Sequence, residues 1–440
     1  MLKRVTVNKE GAAMPIGEAQ YPAPFVSGLE FGAPARGTWT IAHTGMLVPE
    51  AHEIFVCADN CLRGVVLSAA EMGLEDRFSS VSIREHNVLN GDMEQLIIDG
   101  VSDILQKLPK MPRAVLVYTS CIHHFMGCDL PMVYRKLKEK FPQVDFTDCY
   151  MTPTMRKSGS TPEQLVRKGI FQLWKERPLD AKQVNIIGNN LPTDKTSDFI
   201  MMLEAGGYHV RELQDCKTYE QFQEMAASAT NISYLPSNDQ AGESLEATLG
   251  QKHLYLPICY DYEEIRAGLN RLVQHFSLPQ PNFAQLEAEA EEALHSLKDV
   301  LGDMEIAIDY TAVLRPFGLA KLLCEHGFAV TKIYADTVSA EDKDAFAWLK
   351  EHHPQIELSA TVHNKMRVLP REYEKEILCI GQKAAYFLES KHFVNMIEGG
   401  GYCGFRGIVR LCEAMKDAYE TEKEPRDVIQ FKGLGCACKI

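Results

Sequence analysis

The sequence predicts an α/β fold of three consecutive domains, each a doubly wound parallel sheet. Three observations carry that prediction. Strand-like apolar runs alternate with amphipathic helical segments along the chain, the pattern of parallel sheets joined by crossover helices. Several runs, such as IFV at 54–56 and ILCI at 377–380, are apolar at every position, as strands covered on both faces are. Cysteines and glycines stand just past the runs, at Cys57, Cys121, Cys149 and Gly188, where the carboxyl ends of such sheets bind ligands.

In the first domain, residues 1–178, a strand to Cys57 precedes a helix from Leu62 to Met72 and a strand from Ser80 to Ile83. A helix from Asp92 to Leu108, a strand from Ala114 to Tyr118, a helix from Met132 to Phe141 and a strand from Val144 to Asp148 follow. The second domain, residues 179–280, opens after a basic, proline-containing joint at Lys175 to Pro178. Its strands are Val184 to Ile187, Tyr208 to Leu213, Ile232 to Leu235 and Leu254 to Leu256, with helices starting near Asp194 and Thr218. The third, residues 281–440, begins with the acidic amphipathic helix NFAQLEAEAEEALHSLKDVLG. Strands from Glu305 to Ile308, Phe328 to Ile333 and Ile377 to Ile380 alternate there with helices over Ala312 to Glu325 and Asp342 to His352. Gly327 stops the first of these helices, and the domain ends in a helical return and a CxC tail.

With 440 residues and 45% hydrophobic content, the chain can fill about three domains of roughly 100–200 residues each. A formal charge of -14 disfavours nucleic acids and anionic membranes as partners, because both demand clustered Lys and Arg, and favours basic proteins or small molecules. The start, MLKRVTVNKEGAAMPIGEAQ, lacks the apolar stretch of a secretion signal, and no segment approaches the ~18 unbroken apolar residues of a membrane span, so the expected location is the cytoplasm. An odd count of 13 cysteines argues for reduced thiols that pack or hold metal rather than a disulfide framework.

The chemistry concentrates in two cysteine clusters. HEIFVCADNCLRG places Cys57 and Cys61 at the end of one strand, and AVLVYTSCIHHFMGCDL places Cys121 and Cys128 just beyond another. Thiolate sulfur is soft and anionic, and iron–sulfur clusters are held by about four cysteines from separate loops, so these four are the candidate metal ligands, with Cys61 reading equally as a helix start and Cys128 as packing beside Met126. His123 and His124 read either as half-exposed loop histidines or as groups that donate hydrogen bonds to such a cluster or take protons. No GxxxxGK(S/T) motif occurs, so no P-loop binds ATP in this chain. Gly188 and Gly381 end strands and open helices whose amides suit an anion. Cys216, Cys259, Cys324, Cys379 and Cys412 lie in apolar patterns and read as core, Arg156, Lys157 and Arg315 as solvated charges or the lining of a cavity for an anion, and Cys436 with Cys438 as an accessory thiol pair.

Three such blocks with strand-end cysteines resemble the nitrogenase component 1 family, which includes nitrogenase, its cofactor-assembly scaffold and the dark-operative tetrapyrrole reductases. HEIFVC resembles the family's His-Gly-Pro-Ile-Gly-Cys, and TSCIHHFMGCDL its Thr-Cys, four variable residues, Ile-Gly-Asp-Asp. The resemblance implies three Rossmann-like domains and puts Cys57 and Cys121 at two of the three cluster-ligand positions of a subunit. GLEFGA, residues 28–33, matches Cys-Ala-Phe-Asp-Gly-Ala, so Gly28 stands where the third cysteine is expected. Either Cys61 and Cys128 complete a 4Fe–4S cluster within one subunit, or Cys57 and Cys121 of two subunits share one across a dimer interface. GGGYCGFRGIVRL resembles the run carrying the histidine ligand of the second metallocluster, which puts Cys403 at that position, whereas NISYLPSNDQAGES has no cysteine where the other ligand falls. On residues alone, Cys403 reads equally as a buried thiol in a tight glycine turn.

The resemblance further implies a catalytic component that takes electrons from a separate ATP-hydrolysing iron protein and reduces a small molecule in an interdomain cavity. It would pair with itself or with a paralogous subunit. An assembly scaffold of the same family and a noncatalytic small-molecule binding module are the alternatives.

Overall fold

The computed structural model describes residues 8–26, 28, 30–33, 40–152, 160–369 and 376–424. It holds three sheets distributed over two compact bodies. The first body comprises the described residues of Met1–Thr38, Thr193–Gly206 and Ile258–Ile440, and the second those of Trp39–Pro192 and Gly207–Pro257.

Fourteen strands are described. The first body contains β1 (Ala13–Pro15), β10 (Glu305–Asp309), β11 (Ala329–Tyr334), β12 (Glu357–Ser359), β13 (Ile377–Ile380) and β14 (Phe393–Val394). They form one sheet in the order β1-β12-β11-β10-β13-β14, in which only β1 runs antiparallel. The N-terminal strand therefore belongs with the third block of sequence rather than the first. Buried carboxylates at helix starts organise this body. Asp309, at the end of β10, accepts the N–H groups of Lys383 and Ala384 at 2.9 and 3.0 Å, and Asp342 accepts those of Phe317 and Gly318, each at 3.0 Å. The first turn of a helix carries N–H groups without intrahelical partners, and a carboxylate satisfies them while complementing the helix dipole. Gly381 has φ 117°, and a Cβ there would lie 2.1 Å from an Asp309 oxygen, so this approach requires glycine.

The second body contains β2 (Ala51–Cys57), β3 (Phe78–Ser82), β4 (Ala114–Ser120) and β5 (Asp145–Met151) in the order β3-β2-β4-β5. It also contains β6 (Asp180–Ile186), β7 (His209–Glu212), β8 (Ser228–Ser233) and β9 (Lys252–Tyr255) in the order β7-β6-β8-β9. Every pairing in both sheets is parallel. The strand order reverses between β2 and β4 in one sheet and between β6 and β8 in the other, which opens a crevice at each set of carboxyl ends. A single apolar cluster, with Phe55, Tyr118, Ile170, Trp174, Tyr219, Phe222 and Leu245, joins the two sheets. β2 and β4 are buried along their whole lengths, as their apolar runs predict.

Phe55 is fully buried and stacks on Tyr118 at 4.1 Å, whereas Phe125 is 76% exposed. Phe55→Ala is expected to cost about 3–5 kcal/mol in chemical denaturation, and Phe125→Ser to stay within about 0.5 kcal/mol of the native chain.

Candidate functional site

The strand-end thiols of β2 and β4 are positioned by sheet register. Val56 pairs with Thr119, so Cys57 closes β2 as Ser120 closes β4, and Cys121 opens the helix Cys121–Met126 that follows. Paired strands lie ~4.8 Å apart, so the two cysteines stand at neighbouring strand ends. Cys57 is buried in the cluster with Phe55, Val65, Tyr118 and Cys149, and its carbonyl accepts the Ile83 N–H at 2.9 Å. Burial pushes its thiol up to about 12, and the nearby Cys61 and Asp59 act in the same direction. Cys61 sits in the first turn of the helix Asp59–Glu71, exposed, with its N–H donated to the Ala58 carbonyl at 2.9 Å.

Cys121 is half-buried. Two residues on, the Nδ1 of His123 accepts the Ser120 N–H at 3.1 Å, which leaves the proton of the neutral ring on Nε2. That Nε2 is buried without a hydrogen-bond partner, and burial lowers the pKa of the ring. His124 stacks on Tyr150 at 5.6 Å. Gly127, with φ 66°, ends the helix and turns the chain so that the Cys128 N–H meets the His123 carbonyl at 3.1 Å. Cys128 packs against the apolar cluster of Val56, Val81, Met93 and Val117, on the opposite face of the sheet from the cluster that holds Cys57. Burial raises its thiol, and Glu94 adds to the effect. Among the described residues no group of three His, Cys, Asp or Glu side chains is arranged to hold a metal ion. Sequence reasoning missed the helix at Cys121, whose signal is Gly127 after six residues, and the exposed apolar side chains of Leu89 and Phe125 on the helices that follow β3 and β4.

The first body holds the other predicted positions. Cys403 is buried and precedes the helix Gly404–Glu420 at the end of a turn in which Gly399, Gly400 and Gly401 all have positive φ. Asp198 lies under the same helix start and accepts the Arg406 N–H at 3.2 Å. Burial pushes its carboxyl up to about 6. Gly404 has φ 78°, and a Cβ there would meet an Asp198 oxygen at 2.3 Å. Gly28 lines a cavity of about 370 Å³ with Phe25, Asp336 and His363, and a Cβ on it would meet nothing within 4 Å. Arg315 is buried, not solvated, and pairs with Glu264 at 2.7 Å beside a cavity of about 870 Å³. Glu264, Glu291, Glu325, Glu341 and Asp344 make that cavity too acidic for an anion. Cys259, Cys379 and Cys412 are core as expected, but Cys216 and Cys324 are only half-buried. Arg156, Lys157, Cys436 and Cys438 lie outside the described residues.

The sequence profile of the nitrogenase component 1 type oxidoreductases matches residues 57–420. The chain belongs to this family. Its fold is that of a solved structure described as nitrogenase Cp1 at pH 6.5, with a TM-score of 0.62 and 14% identity over 89% of this chain and 94% of that one. A second, nitrogenase Cp1 at pH 5, gives a TM-score of 0.54 and 15% identity over 93% and 94% of the two chains. No curated protein matches by sequence. Members of the nitrogenase component 1 family bind iron–sulfur metalloclusters, partner with an iron protein and form oligomers. Among the described residues no helix is long and apolar enough to cross a membrane.

Two measurements check these placements. Because the Asp198 carboxyl binds its proton more tightly folded than unfolded, stability falls as pH rises from about 4 to 6, by an amount on the order of 3 kcal/mol. Denaturation of Asp198→Asn across that range is expected to lack this decline. Gly28→Cys is expected to leave the thermal midpoint within about 1 °C, since nothing occupies the space its Cβ would take.

Proposed function

We propose that the chain is the catalytic, electron-accepting component of a nitrogenase-like reductase, with an iron–sulfur cluster held at the carboxyl ends of β2 and β4. The observation that carries this reading is the register that sets Cys57 and Cys121 on neighbouring strand ends of a family member. The donor chemistry fits such a group. Cys57 offers sulfur from the end of a rigid strand and Cys121 from the helix start just past another, and the buried, unpartnered His123 Nε2, two residues after Cys121, is a hydrogen-bond donor that lacks an acceptor. A cluster bound there supplies one-electron transfer at low potential, which hydride donors do not reach.

The chain's own residues do the holding and the tuning. Cys57 and Cys121 ligate as thiolates, and burial of Cys57 makes its thiolate depend on the positive charge of bound iron. Cys128 packs against the opposite face of the sheet from Cys57, which favours a cluster shared by Cys57 and Cys121 of two copies over one completed by Cys61 and Cys128 in a single chain. The second copy is this chain or a paralogous subunit, and ATP is hydrolysed in the iron-protein partner. Cys403 is proposed as an accessory thiol for a second metallocluster. The substrate is a small molecule and the location cytoplasmic.

Anaerobic purification with iron and sulfide counting tests the proposal. About four irons per pair of chains are expected for the shared arrangement and about four per chain for the single-chain one. Cys57→Ala and Cys121→Ala are each expected to lower iron content at least tenfold, whereas Cys128→Ala retains it in the shared arrangement. Iron content and colour unchanged in both the Cys57 and Cys121 variants would overturn the reading. Transfer of the metal to another protein without a reduced product would mark an assembly scaffold instead.

A further inference from the structure

The second body has another switch point, between β6 and β8, and its polar groups do not balance. Past the end of β6, Gly188 adopts φ 79°, and its carbonyl accepts the Arg167 Nε–H at 3.0 Å. The Asn238 side chain lies so close over Gly188 that a Cβ there would fall 1.9 Å from its amide carbon. Asn238 donates from Nδ2 to the Ile187 carbonyl at 3.5 Å. The neighbouring Asn189 donates from Nδ2 to the Leu191 carbonyl at 2.8 Å and to Glu212 at 2.7 Å, which fixes the orientation of its amide. Gln214 donates from Nε2 to the Asn189 carbonyl at 2.5 Å. Three side-chain amides thus spend their N–H groups on protein acceptors at Ile187, Asn189, Leu191 and Glu212.

Their oxygens are left over. Oδ1 of Asn189, Oδ1 of Asn238 and Oε1 of Gln214 are all buried without a donor, and Asn189 and Asn238 are only 4% and 0% exposed. A buried carbonyl left unpaired costs about 1–3 kcal/mol, so native proteins satisfy such groups with water or a bound species. A water brings two hydrogens to three oxygens. An ammonium ion brings four, and a potassium ion attracts carbonyl dipoles without directional preference, as carbonyl-lined ion sites do. The oxygens are closed to solvent, which suits a single small ion or water better than a larger ligand. Charges of both signs lie nearby, among them Glu212, hydrogen-bonded to Asn189, and Arg167, hydrogen-bonded to Gly188. Neutral carbonyls between balanced charges suit a monovalent ion, since divalent ions demand carboxylates.

We propose that the β6/β8 switch point binds a monovalent cation of potassium or ammonium size through the side-chain carbonyls of Asn189, Asn238 and Gln214. The ion ties the loop after β6 to the loop after β8.

The test is thermal unfolding of the full chain, freed of both ions in choline chloride, then measured in potassium, ammonium, sodium or choline chloride at equal ionic strength. Saturating potassium or ammonium is expected to raise the midpoint by about 2–3 °C over choline, with sodium giving less than about 1 °C. Which of the two ions acts identifies the occupant, and either supports the proposal. Asn238→Asp keeps the shape and adds a charge, and is expected to lower the potassium concentration at half effect at least about tenfold. Asn238→Leu is expected to abolish the difference between salts whatever its baseline midpoint, and Gln214→Leu, at a half-buried residue, serves if that variant does not fold. Equal midpoints for the native chain in all four salts, or an effect of sodium as large as that of potassium, would overturn the proposal and leave water as the occupant.

Discussion

The hydrogen-bonded register between β2 and β4 is the constraint on which the thiol site rests. Side chains alternate along a strand, so a slip of one residue would turn Cys57 from one face of the sheet to the other. Several contacts hold the register. Phe55 and Tyr118 face each other across the pair and stack with their planes 5° apart. The Tyr118 hydroxyl donates to Glu53 at 2.9 Å, and a Cβ on Gly45 would lie 2.0 Å from that carboxyl and 2.3 Å from that hydroxyl. Burial pushes the Glu53 carboxyl well above its ordinary range. A mismatch of one position would strand that acid against apolar side chains.

Much of this was legible in the sequence because β2 and β4 are long, buried strands with apolar runs. IFV and AVLVY announce themselves by composition, and their end residues follow from where the run stops. The three short strands β1, β12 and β14 did not, since two or three residues show no periodicity and owe their state to neighbours distant in sequence. The helix at Cys121 was hidden for a different reason. Ser-Cys-Ile-His-His-Phe has weak helical propensity, and its helix is secured by the Ser120–His123 hydrogen bond and by Gly127. Of the site, Cys57 and Cys121 could be placed at strand ends, but burial of one beside exposure of Cys61 depends on which face each loop turns toward. The surplus carbonyls at Asn189 and Asn238 were invisible, because an amide is surplus only once its partners are known.

The first body shows how polar residues can fix geometry where apolar packing alone would not. Asp309, Asp342 and Asp198 are each held deep in the fold by the N–H groups at a helix start. A carboxylate in such a position aligns the helix axis relative to the strand or loop that carries it, and glycine at 381 or 404 provides the close approach. Buried charges of this kind are costly unless fully satisfied, and these accept two or more hydrogen bonds or lie beside an arginine.

The high thiol pKa of Cys57 has a consequence for how the protein is made. With its thiol raised by burial, Cys57 lets the sheet close over a neutral sulfur without stranding a naked negative charge. A metal bound at this sulfur, as proposed above, would have to displace that proton, which would tie its binding to acidity.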